Sequence, residues 1–251
     1  MNIAAGTNRG MVREINEDSF STIQLNENVC CLIIADGMGG HKAGQIASGL
    51  ACSVITNHIK EVFESNGIND ENACCCLVDA ISIANKKLYS DQLADESLSG
   101  MGTTVVAAIV TENNIHICSA GDSRLYVVDG RLKQITKDHS YVQDLLDKGL
   151  ITGEEAVSHP NKNIITRAVG TEFNIDTDYF VLPKGNITRL IMCTDGLTNF
   201  VSDSEIENIL INNDAQKANR ILIDLANNNG GKDNITVINV DFDEVKNNDD
   251  R

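Results

Sequence analysis

Apolar residues change their spacing several times along the chain, and each change marks an element. Residues 21–25 and 29–35 are strand-like runs joined by Asn26-Glu27-Asn28; the second is almost continuously apolar and stops at Asp36-Gly37. Over 43–64 and again over 72–94 the apolar positions recur every three or four residues, which predicts two helices adjacent in sequence, like a helical hairpin. Four short β-rich runs follow at 103–110, 115–119, 125–128 and 132–135. Asn113-Asn114, Gly121-Asp122 and Asp129-Gly130 separate them, and such pairs suit tight turns, so the region predicts a meander of antiparallel strands. Short helices at 141–148 and 154–157 interrupt the β pattern, which resumes at 175–182 and 188–193. Segments 203–211 and 216–227 read as helices, 234–241 as a closing strand, and residues from 244 onward as a polar tail.

Strands grouped with strands, and helices in pairs, exclude regular βαβ alternation and predict an α+β fold in which helices cover antiparallel sheets. Only Pro160 and Pro183 occur, and no Gly/Ser-rich or Pro-rich linker interrupts the pattern, so residues 1–243 are expected to form a single domain and 244–251 its tail. A hydrophobic content of 42% is enough for a sizeable core.

The N-terminus has no basic stretch leading into an apolar one, and the longest apolar run, 29–35, is far too short to span a bilayer, which points to the cytosol. Eight cysteines are then expected as reduced, mostly buried thiols. Side chains of the Cys74-Cys75-Cys76 run diverge by about 100° per residue on a helix, and no Cys-x-x-Cys pair exists, which argues against zinc. The formal net charge of −16 repels nucleic acid and anionic membrane surfaces. It repels phosphate as well, so a phosphate site would need bound cations or a well-placed arginine.

The acids sit in a telling pattern. Asp36, Asp122, Asp195 and Asp233 each stand in a turn-like context beside an apolar strand, where strand ends can gather. One such Asp is ordinarily a turn or cap residue, since Asp-Gly is a common turn dipeptide. Four gathered at one sheet edge would repel strongly unless cations lay between them, and an all-oxygen set suits Mg²⁺ or Mn²⁺. Near the N-terminus, Arg13 precedes Glu17 and Asp18; its planar fork fits two phosphate oxygens, although a surface salt bridge to a nearby acid is the plainer role. The glycine-rich loop 36–41 leads into a helix and so offers backbone N–H groups to an anion.

The order of these pieces resembles the type 2C, metal-dependent protein phosphatase family over nearly the whole chain. The matching segments are Arg13-Glu-Ile-Asn-Glu-Asp18, Asp36-Gly-Met-Gly-Gly-His41, Gly100-Met-Gly-Thr-Thr104, Gly121-Asp-Ser-Arg124, Asp138-His-Ser140, His159-Pro160 with Thr166-Arg-Ala-Val-Gly170, Thr194-Asp-Gly-Leu197 and Gly230-Gly-Lys-Asp-Asn-Ile-Thr236. The stretch 139–172 resembles the flap of the bacterial branch, whose members oppose Hanks-type serine/threonine kinases. The resemblance implies a four-layer αββα sandwich of two antiparallel sheets flanked by pairs of helices, with a binuclear Mn²⁺ or Mg²⁺ centre at one end.

In that picture Asp36 bridges both ions, the Gly37 carbonyl ligates one, and Asp195 and Asp233 hold the other. Glu17 acts through bound water, Asp18 supports the site, and Asp122 with Asp195 makes a third, weaker site. The implied reaction is direct hydrolysis of phosphoserine and phosphothreonine by a metal-bridging water, with Arg13 orienting the phosphoryl group. Some members carry a histidine after the Asp-Gly pair to protonate the leaving group; here that position is Met38, which leaves His41 or a metal-bound water as the acid. His139 is expected to be structural, and Arg167 belongs to the flap. The implied partners are phosphorylated proteins, among them a Ser/Thr kinase and its substrates, with no nucleic acid or membrane and with the chain as a monomer. A phosphatase of a partner-switching stress circuit and a non-catalytic phosphoprotein binder are the competing readings, the latter opposed by the complete acid set; a two-metal nuclease is opposed by the lack of a basic track.

Overall fold

The near-continuous apolar runs arise because the central strands are buried on both faces. Along β3 (Cys30–Met38), Cys31, Ile33 and Ala35 point one way and Cys30, Leu32 and Ile34 the other, and all six are buried. A computed structural model, which describes residues 1–39 and 42–242, shows what each face meets.

One sheet runs in the order β2 (Asp18–Gln24), β3, β5 (Val105–Val110), β6 (Asn114–Ala120) and β9 (Asp178–Pro183), with the two-residue β4 (Gly102–Thr103) beside β3. The other runs β1 (Asn2–Asn8), β11 (Ile235–Asp241), β10 (Arg189–Cys193), β7 (Arg124–Asp129) and β8 (Arg131–Gln134). The strand pairs within both are antiparallel. Leu32, Ile34, Val106 and Ile117 of the first sheet meet Leu125, Val127, Leu190, Met192 and Val240 of the second, forming the central core. The outward face of the first sheet packs on α1 (Ala43–Asn66) and α2 (Ala73–Ala94) through Ala47, Ile55, Leu77 and Ile81. The outward face of the second packs on α5 (Asp195–Thr198), α6 (Asp203–Asn212) and α7 (Ala215–Asn228) through Leu197, Ile206 and Leu222. The result is the four-layer αββα sandwich. Two further helices, α3 (Tyr141–Asp147) and α4 (Gly153–Ser158), lie in the segment between β8 and β9.

Three sequence expectations need correction. The runs over 103–135 are not one meander: β5 and β6 form a hairpin in the first sheet, β7 and β8 one in the second, and the chain changes sheets at Gly121-Asp122-Ser123. The run beginning at 29 does not stop at Asp36-Gly37, because β3 continues to Met38 and pairs there with β4. Strand β1, which the apolar pattern does not mark, forms because β11 offers it a seven-residue ladder. The eight cysteines are free thiols, and Cys74, Cys75 and Cys76 differ in exposure as successive helical positions do. Among the described residues no helix is long and apolar enough to cross a membrane. Residues 244–251, read as a tail, lie outside the described residues.

One buried ion pair closes the end of the second sheet. Arg189 Nε lies 2.8 Å from Asp241 Oδ1, and Asp241 Oδ2 accepts the Ala215 N–H at the start of α7, also at 2.8 Å. Deleting the carboxylate leaves a buried guanidinium without its counter-charge, so Asp241→Ala is expected to lower the unfolding free energy by about 3–5 kcal/mol in urea titrations. The double substitution Arg189→Met, Asp241→Leu should recover most of that loss; equal losses in both would show that the charge is not the cause.

Candidate metal and phosphate site

Strand pairing sets the first carboxylates in place. Asp18 of β2 stands opposite Asp36 of β3, and β2 is preceded directly by Glu17. The crossover between the sheets carries Asp122, the first residue of α5 is Asp195, and Asp233 precedes β11 by two residues. These positions come together at one end of the sandwich: a cavity of ≈ 280 Å³ is lined by Arg13, Glu17, Asp36, Gly37, Asp122, Asp195 and Asp233, with Met38, Asn163 and Ile165 also on its wall.

Neither Asp-Gly pair is a hairpin turn, since the first lies inside β3 and the second opens α5. The glycines are needed for close approach instead. A Cβ on Gly37 would stand 2.0 Å from the Gly44 carbonyl oxygen, and one on Gly196 would stand 1.8 Å from that of Asn234. Their absence lets α1 close on β3 and α5 close on the start of β11, which brings both aspartates inward.

Uncharged side chains fix the acids. The Asp36 carbonyl accepts from the Thr104 N–H (2.8 Å) and Thr103 Oγ1 (2.9 Å), while its own N–H donates to Thr104 Oγ1 at 3.0 Å. Thr104 Oγ1 in turn lies 2.8 Å from Ser123 Oγ, which ties β3 to the crossover. Asn199 Nδ2 donates to Asp195 Oδ2 at 2.9 Å. Asn234 acts as a clamp: its Oδ1 accepts the Glu17 N–H at 2.8 Å, and its Nδ2 donates to the Arg9 and Ile15 carbonyls at 2.9 Å, holding the loop that carries Arg13.

Asp18 does not line the cavity. It is buried behind it, where Oδ2 accepts from Thr194 Oγ1 (2.9 Å) and Thr236 Oγ1 (2.7 Å), and its Oδ1 is buried with no hydrogen-bond partner. The sequence motifs contain Thr103, Thr104, Thr194, Asn234 and Thr236 but assign them no role, and they do not include Asn199. The available signal was adjacency, because a buried carboxylate or peptide beside an apolar strand needs a nearby hydroxyl or amide. Nothing in the pattern pointed to Asn163 or Ile165.

The electrostatics are those of crowded acids. Burial, and then the charges of Asp18, Asp195, Asp122 and Asp233, push the Asp36 carboxyl well above its ordinary range. Burial followed by Asp195 and Asp138 lifts Asp122 to about 8. Asp18 rises to about 7 through burial, against the pull of its two threonine hydroxyls, and Asp195 to about 6 through burial and then Asp233. Positive charge comes from Arg13, whose Nη2 donates to Asp233 Oδ2 at 2.8 Å. Burial weakens that guanidinium, but Asp233, Glu17 and Asp36 outweigh it and raise its pKa. Arg13 therefore takes the salt-bridge role in this structure, at the mouth of the cavity and half exposed.

Hard oxygen donors and like charges that resist joint ionisation fit divalent cations. Among the described residues no three His, Cys, Asp or Glu side chains converge as a closed ligand set. Small hard ions do not require one, because they keep several waters and take only one or two carboxylates each. His41 lies outside the described residues. His139 is buried and structural: Nδ1 accepts the Gly121 N–H at 3.0 Å and Nε2 lies 3.2 Å from Asp178 Oδ2. Arg167 turns to Asp178 Oδ1 at 2.9 Å and is not among the residues lining the cavity.

The family model described as Protein phosphatase 2C matches residues 5–232. The chain is 40% identical over 240 residues to the serine/threonine phosphatase stp of Listeria monocytogenes serotype 4b, covering 94% of each protein. The fold is similar to the crystal structure of the serine/threonine phosphatase Stp1 from Staphylococcus aureus, with a TM-score of 0.88, 37% identity, and coverage of 96% of this chain and 95% of that one. It is also similar to the catalytic domain of the serine threonine protein phosphatase PstP in complex with two manganese ions, with a TM-score of 0.83, 34% identity, and coverage of 96% and 97%.

Carboxyls raised above 3.8 stabilise the folded state at pH values below about 4, and that stabilisation is lost as the pH rises through their folded values of about 6 to 8. In EDTA the melting temperature is therefore expected to fall between pH 4 and 8. Millimolar Mn²⁺ at pH 8 should raise it again by binding the ionised carboxylates of the folded chain. A melting temperature flat across this window and indifferent to Mn²⁺ would count against the crowded-acid site.

Proposed function

The chain belongs to the protein phosphatase 2C family, and on that premise we propose that it hydrolyses phosphoserine and phosphothreonine esters in proteins with the help of Mn²⁺ or Mg²⁺. The observation that carries this reading is the gathering of Asp36, Asp122, Asp195, Asp233 and Glu17 with Arg13 around one cavity. Asp36 and the Gly37 carbonyl, with Asp195 and Asp233, would hold two ions; Glu17 would act through water, Asp122 with Asp195 would serve a weaker third ion, and Asp18 ties β2 to Thr194 and to Thr236 of β11. When bound, the ions polarise the attacking water and neutralise charge that builds on the phosphoryl oxygens.

The chain's own groups do the remaining work. Arg13 sits at the cavity mouth with a fork of five N–H donors, one of them on Asp233, and the others fit two phosphoryl oxygens and hold phosphorus in line. The Thr103, Thr104, Asn199 and Asn234 contacts hold Asp36, Asp195 and the Arg13 loop in fixed positions, so little reorganisation is needed during reaction. Met38 lines the cavity and has no proton to give, which leaves His41 or a metal-bound water to protonate the leaving oxygen. Residues 1–243 act as one catalytic domain with a flap over 139–172. The substrates are cytosolic phosphoproteins, and the opposing enzyme is a bacterial Ser/Thr kinase of the Hanks type.

Manganese-dependent release of phosphate from a phosphothreonine peptide and from p-nitrophenyl phosphate tests this directly. EDTA is expected to abolish both activities and Mn²⁺ to restore them. Asp36→Asn should lower kcat by about 10²–10³-fold. Arg13→Ala should lower kcat/KM by roughly tenfold or more, with little rescue by Arg13→Lys, since an ammonium cannot make the bidentate contact. Normal turnover by Asp36→Asn would refute the mechanism.

A further inference from the structure

The loop that brings Arg13 to the cavity mouth is anchored along its length. Asn234 Nδ2 donates to the Arg9 and Ile15 carbonyls at 2.9 Å, the Gly10 N–H donates to Asn8 Oδ1 at 2.9 Å, and the Met11 N–H donates to the Gly231 carbonyl at 2.7 Å. The loop also lies tight against residues 231–233. A Cβ on Gly10 would stand 2.2 Å from the Asp233 carbonyl oxygen, and one on Gly231 would stand 2.8 Å from Met11 Cγ.

This anchored loop holds two apolar side chains out in water. Met11 is 70% exposed and Val12 64%, and they directly precede the arginine proposed to grip the phosphoryl group. Neither belongs to any of the three cores. One exposed apolar residue needs no explanation. An adjacent pair on a loop that cannot fold inward stays hydrated until another molecule covers it, and covering it costs little ordering because the backbone is already fixed.

Charges in and beside the loop are of both signs. Arg9 and Lys232 stand against Glu14, and Arg13 is paired with Asp233 at 2.8 Å. Apolar contact, not a field of one sign, therefore sets what the pair prefers. Position identifies the occupant. An extended peptide turns every second side chain to the same face, about 7 Å apart. Met11 stands two residues before Arg13, a separation of the same size, about 7 Å at full extension. When a phosphorylated side chain enters the cavity, the side chain two residues away meets the surface that Met11 and Val12 form.

Resting on the phosphatase reading, we propose that Met11 and Val12 form a substrate subsite that takes an aliphatic side chain two residues from the phosphorylated one. The contact is open rather than enclosed, so it grades substrates instead of excluding them.

The test uses the full chain with Mn²⁺ and phosphothreonine peptides that carry Leu or Ala two residues before, or two residues after, the phosphothreonine, with p-nitrophenyl phosphate as reference. At one of these positions Leu is expected to raise kcat/KM over Ala by about fivefold, less than an enclosed pocket gives. Met11→Ser and Val12→Ser should each shrink that Leu/Ala ratio, and the double substitution should bring it to unity. A ratio is insensitive to a general loss of active enzyme. Equal turnover of Leu and Ala peptides at both positions, or a ratio that survives the double substitution, would overturn the subsite while hydrolysis of p-nitrophenyl phosphate kept the phosphatase reading intact. A dimer in analytical ultracentrifugation that the double substitution splits would give the pair to a second copy of the chain and overturn the subsite as well. Failure to hydrolyse any phosphate ester would overturn the phosphatase reading and the subsite with it.

Discussion

Asp36 is buried among carboxylates from four other chain segments, Asp18, Asp122, Asp195 and Asp233, with opposite charge from Arg13. Left alone, such a group sheds its charge: its pKa climbs, and so do those of Asp18, Asp122 and Asp195. A fold does not keep this arrangement for stability, since each buried acid costs more than an aliphatic residue of similar size would. It becomes favourable when divalent cations enter, and the chemistry proposed for the chain starts from that balance. The acidic surface and the cation requirement are thus two sides of one constraint, because a protein of net charge −16 must supply positive charge locally to attract phosphate.

The sandwich exists to hold that cluster open at its end. Strands β3, β7, β10 and β11 are buried on both faces, which makes them rigid, and the acids sit on or just beyond their ends at the seam between the sheets. Two close approaches that only glycine permits, at Gly37 and Gly196, draw α1 and α5 inward. Hydroxyls and amides then take the hydrogen bonds that would otherwise leave the acids free to turn away from one another.

Much of this was legible in the sequence where a single physical signal dominates. The helices expected at 43–64 and 72–94 are Ala43–Asn66 and Ala73–Ala94, because a 3.6-residue apolar period over more than twenty residues has few competing explanations. The sheet assignment was not legible: alternation reports burial of a face but not which sheet a hairpin joins, so the change of sheet at Asp122 was read as one more turn. Strand β1 escaped because its ladder with β11, not its composition, makes it a strand. At the site, Asp36, Asp122, Asp195 and Asp233 stand out by their contexts, while Asn234 and Thr104 appear in the motifs without a role, because a clamp is a property of three-dimensional neighbours rather than of spacing.

The central claim is that these carboxylates share divalent ions. Anomalous diffraction from crystals grown in Mn²⁺ measures it most directly: strong anomalous peaks are expected between Asp36, Asp195 and Asp233, with a metal ion joining Arg13 beside Asp233. Asp36, Asp195 and Asp233 turned away from one another around a cavity without anomalous signal would contradict it.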